Sequence, residues 1–390
     1  MGWLTATEAL RVLGVRPQTL YANVSRRRIR ARRDPKDPRR SLYHEDDVRK
    51  LARSHSGARK AERVAAGAIE WGDPVLPSAI STVSQGRLWY RGQDAVELAG
   101  TQTLEEVASL LWEAPGVTLA GGLRPESGNP LARSAEDGSI AAPALPRMFT
   151  VVAGRAGRDP PTHGRAPAVL RIEGAEVLAA LANSIVDAAR QGPLHERLAA
   201  TWRCRRAADV LRRALVLLAD HELNASTFAV RVTVSTGASL ASGVLSGLAT
   251  LSGPLHGRAA LGVRELVRFG RERGMTTAVR EWLGCGRPLS GFGHPLYPEG
   301  DPRAAALARG FALPPEYREL SAAVDELAGE RPNIDFALAA VTACFRLPPD
   351  APLTLFAIAR TVGWLAHAME QAFAGRLIRP RARYVGPPVP

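Results

Sequence analysis

Cysteine is scarce in this chain of 390 residues, which contains only Cys204, Cys285 and Cys344. Their number is odd, they lie far apart, and no histidine stands at ligand spacing from them. The sequence therefore indicates neither a disulfide framework nor a zinc site. We expect a protein of the reducing cytoplasm that holds no metal ion.

Lysine is absent after residue 60. The three lysines are Lys36, Lys50 and Lys60, so the rest of the chain has arginine as its only permanent cation. This absence excludes Schiff-base and pyridoxal chemistry from that part, because both need a lysine amine. Long apolar runs are also missing, since none approaches the roughly 18 residues of a membrane-spanning helix. We expect no membrane partner.

Positive charge is concentrated near the N-terminus. The formal net charge is +13, and residues 1–63 account for +10 of it. A local excess of this size predicts a polyanionic partner for residues 1–63, with nucleic acid favoured over a membrane surface.

Residues 1–55 have the pattern of a small winged helix-turn-helix domain. Thr5 and Glu8 form a capping-box pattern that predicts a first helix. Gly14 predicts a tight turn, and Pro17 suits the first turn of a second helix. An arginine-rich run followed by a polar turn and a short strand at 41–43 predicts a β-wing. A third helix is predicted over roughly residues 44–52.

This segment resembles the winged helix-turn-helix of the MerR and excisionase class. The resemblance rests on the motifs Leu4–Ala9, Leu13–Val15, Thr19–Tyr21 and Tyr43–Val48. It implies that the second helix and the wing contact double-stranded DNA. The DNA-binding candidates are Gln18, Thr19, Tyr21, Arg26, Arg27 and Arg28. A helix-turn-helix that binds another protein, with its arginines solvated, is the alternative.

The remaining sequence predicts an all-α domain at 68–390, preceded by a linker at 56–67. Apolar residues recur at helical spacing, and long alternating β-branched runs are scarce. The strongest helical segments are 105–112, 177–189, 207–218, 263–269 and 355–373. A small β-hairpin or extended segment is predicted at 80–92. The Gly- and Pro-rich stretch 115–167 predicts an insertion or surface loops.

One loop and two helix starts carry the residues with catalytic chemistry. Loop 291–303, which reads GFGHPLYPEGDPR, presents His294 and Arg303 on a path shaped by glycine and proline. His256 lies immediately before a predicted helix, where a neutral imidazole can donate a hydrogen bond to a developing oxyanion. Asp335 follows the predicted helix cap Asn333, so we expect it to stay ionised and available as a base.

Six segments of this part resemble citrate synthase, in the order found in that family. They are 220–227, 253–257, 291–303, 333–336, 356–367 and 378–386. The resemblance implies a homodimer, or a dimer-based oligomer, of large and small helical domains, with the small domain at roughly 260–350. It also implies condensation of acetyl-CoA with oxaloacetate to give citrate and CoA. The CoA thioester is then a co-substrate, and no cofactor is tightly bound.

The resemblance also implies roles for individual residues. Asp335 takes a proton from the acetyl methyl group, His256 hydrogen-bonds the thioester oxygen, and His294 polarises the ketone of oxaloacetate. The oxaloacetate-binding residues are His221, Arg303, Arg360 and Arg379, the last supplied by the neighbouring subunit.

Three positions depart from the family pattern. Many members have basic residues at the positions of Pro295 and Pro298, the second of which helps to bind CoA phosphate, and an asparagine at the position of Ala260. The sequence therefore assigns no ligand to the CoA phosphates.

Two alternative functions remain open at this point. One is a 2-methylcitrate synthase that uses propionyl-CoA. The other is a DNA-binding transcriptional regulator whose synthase-derived domain senses a ligand. The presence of the base Asp335 beside the other site residues favours an enzyme, because a sensor does not need a base.

Overall fold

A computed structural model describes residues 2–13, 20, 24, 29–34, 41–55, 76–115, 143–186, 190–382, 384 and 386–387. The chain divides into two compact units, Met1–Pro77 and Ser78–Pro390. No helix among the described residues is both long enough and apolar enough to cross a membrane.

The first unit contains a three-stranded sheet and two described helices. Its elements are β1 (Trp3–Thr5), α1 (Ala6–Leu13), β2 (Ala31–Arg33), β3 (Ser41–His44) and α2 (Glu45–His55). The sheet order is β1-β3-β2, with antiparallel pairing throughout. The capping box of α1 is confirmed, because the backbone N–H of Thr5 donates to Glu8 and that of Glu8 donates to Thr5 Oγ1. Strand β1 has no counterpart in the sequence prediction.

The helix-turn-helix stays a prediction. All six DNA-binding candidates lie outside the described residues, as do residues 14–19, 21–23 and 25–28. The third predicted helix is present as α2, which extends three residues beyond its predicted end. A small apolar core holds the unit together, and its buried members are Ala9, Leu13, Leu20, Ile29, Tyr43 and Val48.

The second unit begins with the predicted hairpin. Strands β4 (Ser81–Ser84) and β5 (Arg87–Tyr90) pair antiparallel, and the two-residue strand β6 (Gln93–Asp94) extends the sheet. The Tyr90 hydroxyl lies against the backbone carbonyls of Val216 and Asp220, at 3.1 Å from each. The hairpin is therefore fixed to the segment that carries His221.

The rest of the described second unit is helical, as the sequence predicts. Its helices are α3 (Ala95–Thr101), α4 (Leu104–Leu111), α5 (Ala144–Ala156), α6 (Pro167–Asn183), α7 (Leu194–Thr201), α8 (Ala208–Leu218), α9 (Ala225–Ser235), α10 (Leu240–Leu251), α11 (Ala259–Arg273), α12 (Met275–Gly284), α13 (Pro302–Ala308), α14 (Pro315–Ala328), α15 (Ile334–Phe345) and α16 (Ala351–Ala374), with a 3₁₀ turn at Arg205–Ala207.

Helix α5 corrects the prediction of loops over 115–167. Its prolines lie at the start, where the backbone N–H that proline lacks has no helical partner, and its buried face includes Met148 and Val152. A buried apolar face at helical spacing therefore outweighs the Gly- and Pro-rich composition. Residues 116–142 lie outside the described part of the chain.

Two apolar cores meet at α15. The larger core includes Ile334 and Leu338 of this helix, whereas the smaller core, built mainly from α11, α12 and α14, includes Phe336 and Ala340. Opposite faces of α15 are thus buried in different cores. The first turn of α15, which carries Asp335, is held between them.

Candidate active site

Loop 291–303 is fastened to the start of α15 by backbone hydrogen bonds. The N–H of Gly293 donates to Arg331 O at 2.8 Å, and the N–H of Asn333 donates to Gly291 O at 2.9 Å. Gly291 and Gly293 have φ angles of 87° and 67°, which L side chains rarely adopt. Asn333 also donates from Nδ2 to Gly293 O at 3.0 Å, so the loop holding His294 is fixed against the helix holding Asp335.

Asp301 and Arg303 form a buried, two-point ion pair at the end of this loop. Arg303 donates to the Asp301 carboxylate from Nε at 2.9 Å and from Nη2 at 2.8 Å. Burial opposes the charge of Arg303, but Asp301 outweighs it and raises the pKa of the guanidinium. Arg303 Nη1 has no hydrogen-bond partner among the described residues, which leaves it available for a ligand.

The rings of His221 and Tyr297 pack against His294. The centroids of His221 and His294 lie 5.1 Å apart, and Tyr297 lies 4.9 Å from His294. His221 Nε2 is 2.9 Å from the Tyr297 hydroxyl. Burial, followed by the charge of Arg303, lowers the pKa of His294 to about 4 and holds that of His221 well below its usual range. Both rings are therefore neutral at pH 7.

His294 has one defined tautomer when neutral. Its Nδ1 accepts a hydrogen bond from the backbone N–H of Leu296 at 3.2 Å. The ring proton must therefore be on Nε2, which makes that nitrogen a donor. A neutral donor of this kind can polarise a carbonyl oxygen.

His256 is held by Ser226. Its Nε2 lies 2.9 Å from Ser226 Oγ, which donates to Asn224 Oδ1 at 2.8 Å and also receives a hydrogen bond from Trp364 Nε1 at 3.2 Å. Burial and then the charge of Arg360 lower the pKa of His256 to about 4. Nδ1 of this neutral ring has no hydrogen-bond partner among the described residues.

Arg360 is 1% exposed and only partly paired. Nε donates to Leu218 O at 2.9 Å, and the guanidinium lies 4.8 Å from the ring centre of Phe356. Nη1 has no hydrogen-bond partner among the described residues. Burial lowers the pKa of Arg360 to about 10, so it stays charged at neutral pH. A buried, charged and incompletely bonded guanidinium is suited to an anionic ligand.

Asp335 lies in the first turn of α15, and Asn333 is its cap as predicted, since the N–H of Asp335 donates to Asn333 Oδ1 at 3.0 Å. The pKa of this carboxyl nevertheless departs from its ordinary value of 3.8. Burial raises the pKa of Asp335 to about 6, against the opposing charges of Arg303 and Arg360. The carboxylate accepts no hydrogen bond from the described residues. Its pKa suits a general base at neutral pH.

These side chains form one cluster. The charge of Arg360 acts on His221, His256 and Asp335, and the charge of Arg303 acts on His221, His294 and Asp335. The cluster combines a carboxylate base, neutral histidine donors and two arginines with open N–H groups. Such a set can remove a proton from carbon while stabilising the oxygen charge that develops, and it can hold a dicarboxylate.

The remaining predicted residue lies apart from this cluster. Arg379 is exposed and makes no hydrogen bond or ion pair with the described residues of its own chain. Pro295 and Pro298 are exposed on the loop. Three further cluster members were not singled out from the sequence, namely Ser226, Tyr297 and Asp301. Each stands inside a segment that resembles citrate synthase, so its place in those motifs is the signal that could have identified it.

Comparison with known proteins gives the same family throughout. A family model described as "Citrate synthase, C-terminal domain" matches residues 156–381. The citrate synthase of Haloferax volcanii is 42% identical over 191 residues, which are 46% of this chain and 50% of that protein. The chain spans about half the length of the curated relatives it matches.

Solved structures extend the similarity of fold over more of the chain. The citrate synthase of Thermotoga maritima matches with a TM-score of 0.62 at 26% identity, over 81% of this chain and 94% of that one. A citrate synthase of Thermoplasma acidophilum, solved with carboxymethyl coenzyme A and oxaloacetate, matches with a TM-score of 0.65 over 81% of this chain and 95% of that one. At 23% identity, this second match shows the fold alone.

Proposed function

We propose that this chain, which belongs to the citrate synthase family, condenses acetyl-CoA with oxaloacetate to give citrate and CoA. The observation that carries the proposal is the position of Asp335, whose pKa is about 6, in one cluster with the neutral donors His256 and His294. The CoA thioester is a co-substrate in this reaction, which uses no tightly bound cofactor.

Proton removal from the acetyl group requires two residues at once. A thioester methyl group is so weak an acid that a carboxylate can deprotonate it only while the thioester oxygen is stabilised. In the proposal, Asp335 takes the proton and Nδ1 of His256 donates to that oxygen. This role needs the ring proton on Nδ1, and therefore that the Ser226 hydroxyl, which donates to Asn224 Oδ1 in the structure, turns to donate to Nε2 of His256.

Oxaloacetate binds beside the nascent enolate. Nε2–H of His294 donates to its ketone oxygen and then to the new alkoxide, since Nδ1 is already bound to Leu296. The open N–H groups of Arg303 and Arg360 bind its carboxylates, with His221 alongside. Arg379 completes the site of the neighbouring subunit in a homodimer. Hydrolysis of the thioester of the condensation product then releases CoA.

The test is the release of free CoA thiol from acetyl-CoA or propionyl-CoA with oxaloacetate. Wild type is expected to turn over acetyl-CoA, and Asp335→Ala to lose turnover while still binding oxaloacetate. A preference for propionyl-CoA would identify a 2-methylcitrate synthase instead. Oxaloacetate binding without turnover of either thioester would refute the enzyme and support a ligand sensor.

The N-terminal unit supports a second proposed function, which is binding to double-stranded DNA. Residues 1–63 have a net charge of +10. Arg32 on strand β2 stacks 4.2 Å from the ring of Trp3, and Arg30 is held by Asp47 through Nε at 2.8 Å. The charge of Arg30 is already paired with that of Asp47, so of these two arginines the exposed Arg32 is the one suited to contact a phosphate.

DNA binding is tested in the full chain by replacing Arg26, Arg27 and Arg28 with alanine. The matched control removes the same charge from the exposed arginines Arg268, Arg280 and Arg309. Salt-sensitive retention of duplex DNA should be lost in the first variant and in a chain lacking residues 1–63, but not in the control. Equal retention by all of these proteins would refute the proposal.

A further inference from the structure

A buried row of polar side chains lies behind Arg360 and takes no part in the chemistry proposed above. It runs from Arg231 through His367 to Asp220, which are 2%, 1% and 0% exposed. Burying ionisable groups is costly unless each is paired. Ser81 also donates to the Asp220 carboxylate. Hydrogen bonds therefore join the three side chains in this order.

His367 is fixed in one tautomer by its neighbours. Nε and Nη2 of Arg231 lie 3.0 and 2.8 Å from Nδ1 of the ring. A guanidinium only donates, so Nδ1 is the acceptor and Nε2 carries the ring proton. Nε2 lies 3.2 Å from Oδ2 of Asp220 and donates to it. Because burial lowers the pKa of His367, the ring is a neutral, one-directional donor.

Asp220 lies between this donor and the candidate active site. It directly precedes His221, and its Oδ1 has no hydrogen-bond partner among the described residues. Burial opposes its ionisation, yet the pKa of Asp220 is lowered, because His367, Arg360 and Ser81 favour the anion. Asp220 in turn favours the charged form of Arg360. No hydrogen bond joins these two described side chains, and Arg360 Nε instead donates to Leu218 O, two residues before Asp220, at 2.9 Å.

Gly363 brings these groups together. It lies on α16 between Arg360 and His367, and its backbone N–H donates to Ala219 O at 3.0 Å. A Cβ at this position would collide with Ala219 O and with the Asp220 carboxylate. The missing side chain therefore lets the turn before His221 contact the helix that carries Arg360.

We propose that Asp220, held by His367 and Ser81, fixes the turn 218–221 and thereby positions Arg360 and His221 for oxaloacetate, which makes Asp220 and His367 positioning residues; this rests on the proposed function. This turn accepts hydrogen bonds from two groups of α16, Arg360 Nε at Leu218 O and the N–H of Gly363 at Ala219 O. Without the donor from His367, the Asp220 carboxylate loses a contact that fixes its orientation, and the turn is held less firmly against α16. Arg360 and His221 are then less precisely placed for the substrate carboxylates.

The test replaces His367 by leucine, which removes the donor, and by glutamine, which can accept from Arg231 and donate to Asp220. The Michaelis constants for oxaloacetate and acetyl-CoA are measured by CoA release, and the Kd for oxaloacetate is measured by calorimetry. His367→Leu should raise the oxaloacetate KM and Kd about tenfold, as expected for one lost hydrogen bond to a charged group. The KM for acetyl-CoA should change little, and His367→Gln should restore the oxaloacetate values.

Two further variants separate positioning from general destabilisation. Gln371 is buried in the same network and lies 3.3 Å from Nη1 of Arg231, but it makes no hydrogen bond to Asp220. Gln371→Leu should lower stability without changing the oxaloacetate KM. Ser81→Ala removes the other donor to Asp220 at a less buried position, and should raise the oxaloacetate KM even if His367→Leu does not fold.

The outcomes distinguish this inference from the proposed function. An active wild type whose oxaloacetate KM is unchanged in His367→Leu or in Ser81→Ala overturns the inference alone. The inference is also overturned if His367→Leu raises the KM for oxaloacetate and the KM for acetyl-CoA equally, and Gln371→Leu does the same. A folded wild type that neither binds oxaloacetate nor releases CoA overturns the proposed function, and the inference with it.

Discussion

Oδ2 of Asp301 accepts a 3.0 Å hydrogen bond from the backbone N–H of Ile334. The same carboxylate caps α13 and binds Arg303 through both of its oxygens. One buried aspartate thus joins the loop that carries His294 to the helix that carries Asp335. The spacing between the proposed ketone-binding histidine and the proposed base depends on it.

Replacing Asp301 with alanine should lower both stability and turnover. Arg303 would be left buried without its counter-ion, which costs about 3–5 kcal/mol. The measurement is urea unfolding followed by circular dichroism, together with CoA release. The control is Asp325→Ala, whose carboxylate pairs with Arg331 at 3.3 Å on the surface and should cost less than about 1 kcal/mol. Similar losses in the two variants would contradict this account.

The activity should depend on the ionisation of Asp335. A base acts only when deprotonated, and the pKa of this carboxylate is raised to about 6. We expect kcat/KM to fall about tenfold per pH unit below that value. His256 and His294, with pKa values of about 4, stay neutral through this range. A pH–rate profile that is flat down to pH about 5 would exclude Asp335 as the base.

The raised pKa also predicts that ionised Asp335 destabilises the folded state. Because folding raises the pKa of Asp335 from 3.8 to about 6, the folded state binds more protons in this window, and stability is lost as pH rises through it. Asp335→Asn should therefore abolish turnover yet increase the free energy of unfolding at pH 7 by about 1–2 kcal/mol, allowing for screening of a half-buried group. The gain should be smaller at pH 5. A loss of stability at pH 7 would contradict the assignment.

Contacts between residues close together in the sequence could be predicted from the sequence. Asn333 caps the helix of Asp335, and Thr5 pairs with Glu8, because capping depends on residues two or three positions apart. The contacts of His256 with Ser226 and of Arg231 with His367 join residues 30 and 136 positions apart, so no periodicity indicates them.

Buried packing also outweighed amino-acid composition in deciding where a helix forms. The Gly- and Pro-rich stretch that predicts loops contains α5, because Met148 and Val152 are buried there. Burial likewise sets the direction in which the pKa of Asp335 departs from its ordinary value, and sequence spacing does not indicate it. The catalytic roles of the site residues stay predictions.

Gly291 should be intolerant of a side chain. Its φ of 87° is strained for any other residue, and a Cβ would collide with Cγ2 of Val263 and press on the backbone N of Phe336, the residue after Asp335. Gly291→Ala should therefore destabilise the fold by about 1–3 kcal/mol and lower kcat. Gly284→Ala is the matched control, since Gly284 lies in α12 with open space around it and should become more stable by up to about 1 kcal/mol. Thermal unfolding and CoA release measure both effects, and a Gly291→Ala variant with the kcat of wild type would show that this loop does not set the position of Asp335.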